Sequence, residues 1–146
     1  MHSEDLIGTW ELESCIAKAA SGAQRFSYGE SPRGFLTYTA SGHMATVIMR
    51  SGRTKFASPD AQGGTREEIK EAFDGFDAYA GLFTFDEETG TVTHTVEVSK
   101  RPNWEGTAQL RYAKLVDGRL HLDTPPILSQ GQEWVLSLAW HRAAAR

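Results

Sequence analysis

A single histidine interrupts a row of valines on one face of a predicted strand. Apolar and polar residues alternate over 91-98, and His94 falls among the apolar ones, which are Val92, Val96 and Val98. Because this alternation puts one face of a strand in the core, we expect His94 to project inward. An imidazole there can orient a polar group of a ligand, transfer a proton near neutral pH, or be a core histidine satisfied by a neighbour.

Tyr112 is the predicted partner of His94. If the 99-107 connection joins two neighbouring strands symmetrically, position 94 pairs with position 112, and directly opposed residues share a face of the sheet. A phenol beside a buried imidazole can hold a polar group of a ligand. His94 and Tyr112 are therefore the candidate catalytic residues if the protein is an enzyme.

The 99-107 connection offers two more candidates, because Asn103 and Trp104 would present one polar and one apolar surface at the mouth of the fold. Trp104 would either contact a ligand or pack beneath a helix. Arg50 and Arg111 would add positive charge attractive to a carboxylate or phenolate, although strand parity puts Arg111 on the outside.

Aromatic and sulfur-containing side chains complete the predicted pocket, since methionines suit an irregular apolar guest. Part of this set must be ordinary core, because alternation alone does not fix which face of strands 34-39 and 43-50 is inward. The further predicted ligand-binding residues are Phe35, Tyr38, Met44, Met49, Phe73, Tyr79, Phe83 and Trp134.

Other chemistries find little support in the chain. The histidines show no metal-ligand spacing except His121 with Asp123, and that pair falls on an outer face. Cys15 is the single cysteine and has no assigned base. The net charge of -4 comes without a basic block. We therefore expect no metal, no cofactor and no nucleic-acid partner.

Eight runs with strand-like patterning and turn chemistry between them predict an all-β, up-and-down antiparallel barrel. Eight strands close a barrel that holds one small ligand or is just filled by side chains. With 146 residues, of which 40% are hydrophobic, we expect one domain over 1-146 with one core. The predicted strands are 6-17, 34-39, 43-50, 80-86, 91-98, 108-116, 119-124 and 133-141.

Short and long connections alternate along the chain. In an up-and-down barrel every second connection lies at the same end, so the short turns gather at one end, the floor, and the long connections at the other, the mouth. The long connection between the third and fourth strands carries a predicted helix, which starts at the capping box Thr65-Arg66-Glu67-Glu68. Its apolar face is expected to lie across the mouth, either completing the core or gating entry.

Trp10 and Arg142 are predicted to close the floor structurally. Trp10 begins the first strand, and Arg142 continues the inward parity of the last strand down to the same end. A guanidinium stacked on an indole contributes about 0.5–2 kcal/mol and can also bond carbonyls at strand ends.

A set of motifs lies at 6-12 (Leu-Ile-Gly-Thr-Trp-Glu-Leu), 28-39, 72-75, 79-81, 94-99 and 102-106. In these motifs the chain resembles the bacterial lipocalin-like domain family, a branch of the calycin-type barrels. The resemblance covers nearly the whole chain and implies a barrel with an internal pocket. Related barrels serve both as carriers and as cyclases or isomerases of natural products.

The leading hypothesis is that the barrel binds one small, largely apolar molecule, aromatic or polyketide-like, with His94 and Tyr112 orienting its polar group. The alternative is an isomerase or cyclase that uses His94 for proton transfer, and a third reading is a filled barrel acting through protein contacts. The polar, acidic start predicts no signal peptide or membrane span and a cytoplasmic protein, either monomer or homodimer.

Overall fold

Ten antiparallel strands form one sheet, and eight of them close into a barrel. The computed structural model describes residues 1–146. The barrel order is β1-β3-β4-β5-β6-β7-β8-β10, closed by pairing of β10 with β1. The strands are β1 (Gly8–Ala19), β2 (Gln24–Phe26), β3 (Arg33–Tyr38), β4 (His43–Met49), β5 (Phe76–Asp86), β6 (Thr91–Ser99), β7 (Ala108–Val116), β8 (Arg119–Asp123), β9 (Ile127–Ser129) and β10 (Gln132–Arg142).

The predicted eight-stranded barrel is confirmed, and the structure adds two short strands to it. β2 and β9 extend the barrel wall beside β1 and β10. Each has three residues, too few for alternation to reveal. Because β2 is the second strand in chain order, the predicted third strand, 43-50, is β4 of the structure, and the helix follows β4.

The helix α1 (Arg66–Asp74) begins where the capping box predicts. Thr65 accepts a hydrogen bond from the Glu68 N–H, and the Glu68 carboxylate accepts one from the Thr65 N–H. The expectation that its apolar face covers the mouth is wrong. Ile69 is 52% exposed and Phe73 is 47% exposed, whereas Lys70 and Asp74 of the polar face border the opening.

Neighbouring segments explain this orientation of α1. The preceding connection folds back, so that Phe56 and Ile69 both lie against Gly64. On the other side, the Lys100 ammonium lies 3.9 Å from the centroid of the Phe73 ring and donates to the Phe73 carbonyl at 2.6 Å. The apolar residues of α1 thus pack against the connections beside the helix, and not across the mouth of the barrel.

A bulge in β6 overturns part of the predicted valine face. Ala80 pairs with Val98 but Gly81 pairs with Val96, so Glu97 is an extra residue. A Cβ atom at Gly81 would collide with the Thr95 carbonyl, and glycine therefore permits this close approach. Beyond the bulge the parity reverses, which leaves Val98 67% exposed.

Trp10 and Arg142 pack against each other where β1 begins and β10 ends. The Trp10 side chain is 1% exposed, and its indole N–H donates to the Leu6 carbonyl at 2.9 Å. The Arg142 guanidinium lies 4.0 Å from the Trp10 ring centroid. It donates to the carbonyls of Ile7 at 2.5 Å and Asp5 at 2.6 Å.

The main core surrounds these residues and continues up the barrel walls, with buried side chains from all eight strands of the barrel. No helix in this fold combines the length and apolar character needed to cross a membrane.

Candidate functional site

The barrel encloses a cavity of about 470 Å³ that opens between the long connections. This volume lies within the usual range for pockets that hold small molecules. The interior is therefore not filled by side chains, contrary to the third reading of the sequence. Apolar walls come from Leu36, Ile48, Leu122, Ile127, Leu136, Leu138 and Trp140.

His94 lies in the barrel interior between two tyrosines. It is 1% exposed, its Nε2 lies 2.7 Å from the Tyr38 hydroxyl, and its Nδ1 lies 2.8 Å from the Tyr79 hydroxyl. Strands β3, β6 and β5 supply the three residues, whose side chains all point inward. Both ring nitrogens of His94 are thus occupied.

Burial fixes the charge of this histidine. Desolvation, assisted by the positive charge of Arg111, lowers the pKa of His94 from 6.5 to about 3. Desolvation also raises the pKa of Tyr79 and raises the pKa of Tyr38 well above its ordinary value. At neutral pH the ring is uncharged, and both phenols keep their protons.

The hydrogen-bond count fixes which way the protons point. A neutral imidazole donates from one nitrogen and accepts at the other. Tyr38 makes its one hydrogen bond to His94 and does not reach the cavity, so its O–H would be unsatisfied unless it donates to Nε2. His94 Nδ1–H then donates to Tyr79. The Tyr79 hydroxyl, which lines the cavity, is left with a free proton to donate.

Arg111 is the candidate that the sequence reasoning placed on the wrong face of the barrel. It is 7% exposed and lines the cavity, and its guanidinium lies 5.8 Å from the centroid of the Trp104 ring. One guanidinium nitrogen donates to the Leu110 carbonyl at 2.7 Å, and no carboxylate forms an ion pair with it. Arg111 and Tyr79 therefore present hydrogen-bond donors to the same cavity.

The register between β6 and β7 explains why Arg111 points inward. His94 pairs with Gln109, Val92 pairs with Arg111, and Thr91 pairs with Tyr112. The predicted pairing of 94 with 112 is wrong because the two strands meet in another register at the β6–β7 connection, where the Val96 N–H donates to the Thr107 carbonyl at 2.9 Å. An odd shift in register reverses the parity of β7. Tyr112 is consequently outside and 50% exposed.

The remaining predicted pocket residues divide into three groups. Tyr79, His94 and Trp104 line the cavity. Tyr38, Met44 and Phe83 belong to the core without lining it, and Trp134 is buried in a separate small cluster. Phe35, Phe73, Asn103 and Arg50 are exposed, and Met49 is partly buried outside the cavity lining.

Asp77 and Trp140 are among the other residues with polar groups that border the cavity. Asp77 lines it from β5, close to the mouth. Trp140 lines it from β10, and its buried indole N–H has no hydrogen-bond partner. Neither position is marked by a sequence motif, because a carboxylate or an indole at an alternating strand position has no distinctive spacing.

Comparisons with known proteins give one family and two similar chains. A family model described as a lipocalin-like domain matches residues 7–143. The 4'-hydroxy-3'-methoxypropiophenone carrier protein ppsC of Aspergillus oryzae (strain ATCC 42149 / RIB 40) is 33% identical over 106 residues, which cover 68% of this chain and 96% of that protein. A solved lipocalin-like protein from Bacteroides uniformis ATCC 8492 has 11% identity and a TM-score of 0.47, with 95% of this chain and 99% of that chain covered.

Proposed function

This chain belongs to the lipocalin-like domain family, and from that premise we propose that it is a binding protein for one small, largely apolar, aromatic molecule. The ligand lies in the cavity with a hydrogen-bond acceptor oxygen against Arg111 and Tyr79. The observation that carries this proposal is a buried arginine, open to a cavity with mixed apolar and polar walls, without a carboxylate partner.

The energetics of Arg111 favour a ligand oxygen at this place. The buried guanidinium donates to the Leu110 carbonyl and lies beside the Tyr79 hydroxyl. Its other N–H groups are unmatched, and desolvated charges are costly unless they are paired. A carbonyl, phenolate or carboxylate oxygen would accept from Arg111 and from the Tyr79 hydroxyl together. Hydrogen bonds to a charged donor contribute about 1.5–3 kcal/mol.

The relative's name supports the same ligand class. The protein ppsC is named as a carrier of 4'-hydroxy-3'-methoxypropiophenone, which is an aryl ketone. Its carbonyl oxygen would accept from the donors of this cavity, and its ring would contact the apolar walls. We propose aryl ketones and related aromatic acceptors as ligands of this chain.

The isomerase or cyclase hypothesis with His94 as the proton-transfer residue is less well supported. Both nitrogens of His94 are engaged by tyrosines, and the lowered pKa, about 3, makes the ring a poor base. We assign His94 instead to positioning, since it determines the direction of the Tyr79 proton.

Native mass spectrometry of the freshly expressed protein, compared with its denatured mass, tests the proposal, followed by titration with 4'-hydroxy-3'-methoxypropiophenone. We expect either a retained small molecule or saturable binding of the added ketone with one site per chain. A protein that carries no added mass and binds neither this ketone nor an aromatic carboxylate would contradict the proposal.

A further inference from the structure

We propose that Asp77 forms a second polar subsite in the same cavity, which accepts a hydrogen bond from a hydroxyl group at the mouth end of the ligand. This inference rests on the proposed function. It makes the ligand bifunctional, with an acceptor oxygen at Arg111 and Tyr79 and a donor hydroxyl at Asp77, and so gives the ligand a fixed direction in the barrel.

The register of β5 places Asp77 on the inner face. Asp77 pairs with Ile48 and Tyr79 pairs with Thr46, and all four residues line the cavity. Residues two apart along a strand are separated by about 6.6 Å. β5 runs from α1 toward the floor, so Asp77 lies nearer the mouth than Tyr79.

The carboxylate of Asp77 is incompletely satisfied by the protein. Its hydrogen bond within the chain comes from the Ala78 N–H at 3.0 Å, and no lysine or arginine forms an ion pair with it. The nearby Lys100 ammonium donates to the carbonyls of Phe73 and Phe76 instead. Carboxylate lone pairs therefore remain open to the cavity.

Asp74 provides the contrast that makes Asp77 distinctive. Its carboxylate also borders the cavity, from α1, but it is paired with Lys70 at 2.5 Å. A ligand hydroxyl approaching Asp74 would compete with that ammonium, whereas one approaching Asp77 meets an open acceptor.

The chemistry selects a recognisable ligand class. Arg111, Tyr79 and Asp77 line one cavity, and Asp77 lies two strand residues, about 6.6 Å along β5, nearer the mouth than Tyr79. A ring with a ketone at one end and a hydroxyl at the other satisfies both subsites at once. The reverse orientation would put the ketone oxygen against the Asp77 carboxylate, which repels it.

The test uses two probes that differ by one hydroxyl group, 4'-hydroxyacetophenone and acetophenone. We expect the wild-type protein to bind the hydroxylated probe at least about tenfold more tightly, as expected for a hydrogen bond to a charged acceptor. In Asp77→Ala the ratio should fall to about one, because only the hydroxylated probe loses affinity. Asp74→Ala is the matched control and should keep the wild-type ratio.

The outcomes separate this inference from the function on which it rests. If both probes bind the wild-type protein equally, or if Asp77→Ala keeps the tenfold ratio, the Asp77 subsite is overturned while binding of aryl ketones stands. If neither probe binds, the proposed function itself fails for this class. Should Asp77→Ala not fold, Asp77→Asn keeps the shape of the side chain, and its neutral acceptor should lower the ratio to about threefold.

Discussion

The barrel contains two arginines that the protein satisfies to very different degrees. At the floor, Arg142 stacks on Trp10 and donates to two backbone carbonyls. In the cavity, the more buried Arg111 donates to one carbonyl and forms no ion pair. The protein thus satisfies the guanidinium of Arg142, whereas that of Arg111 keeps N–H groups without an acceptor.

This difference separates structure from binding within one fold. At the floor, backbone carbonyls accept from the side-chain donors of Trp10 and Arg142. The cavity presents groups with free capacity, namely the Arg111 guanidinium, the Tyr79 hydroxyl and the Asp77 carboxylate. Unmatched polar groups in the wall of a cavity are explained by a ligand that completes their hydrogen bonds.

The largest expected effect concerns the tryptophans of the two regions. Trp10→Ala should lower the free energy of unfolding by about 3–5 kcal/mol, because it removes a buried ring on which the Arg142 guanidinium stacks. Trp104→Ala, at the partly exposed mouth, should cost about 1 kcal/mol or less. Urea denaturation measures both, and similar losses would contradict the division into floor and cavity.

The second prediction is an acid sensitivity that originates in the cavity. Because the pKa of His94 is lowered to about 3 in the folded protein from 6.5, the unfolded chain binds a proton between these values that the folded chain does not. Stability therefore falls as the pH drops below about 6.5, by about 2 kcal/mol at pH 5 from this residue.

Denaturation of wild type and His94→Gln at pH 7.5 and pH 5 checks this prediction. The other titrating groups are common to both proteins, so the wild type should lose about 2 kcal/mol more than the variant over this interval. Equal losses would show that His94 is not held neutral by burial.

The smallest expected effect tests the proton direction in the cavity. Tyr38→Phe removes the O–H that donates to His94 Nε2. The imidazole can then accept from Tyr79 at Nδ1, which takes the Tyr79 proton away from the ligand. We expect affinity for 4'-hydroxyacetophenone to fall about threefold to tenfold. Calorimetric titration measures it.

Tyr112→Phe is the matched control, because Tyr112 is on the outer face and 50% exposed. Its affinity for the same probe should equal that of wild type. A loss in Tyr112→Phe, or none in Tyr38→Phe, would contradict the assigned chain of hydrogen bonds.

The fold was largely predictable because alternation and turn residues are local signals. Period-two patterning located eight strands, and the capping box at Thr65 located the helix. Alternation also put His94 inside, since the valines around it had to be buried. None of these inferences depends on which residues of neighbouring strands pair with each other.

The site was less predictable because it depends on register. The bulge at Glu97 and the register at the β6–β7 connection change parity without changing any local pattern. They move Val98 and Tyr112 outward and Arg111 inward. Partners of His94 on β3 and β5 are distant in sequence, and no spacing rule connects Tyr38 or Tyr79 to it.

Titration of 4'-hydroxy-3'-methoxypropiophenone into wild type, Arg111→Met and Arg142→Met tests the central claim most directly. We expect Arg111→Met to fold with undiminished stability, since it replaces an unpaired buried charge, and to bind about 10-fold to 100-fold more weakly. Arg142→Met should lose stability and keep the wild-type affinity. Unchanged affinity in Arg111→Met, with wild type binding the ketone, would contradict the assignment of Arg111 as the ligand's anchor.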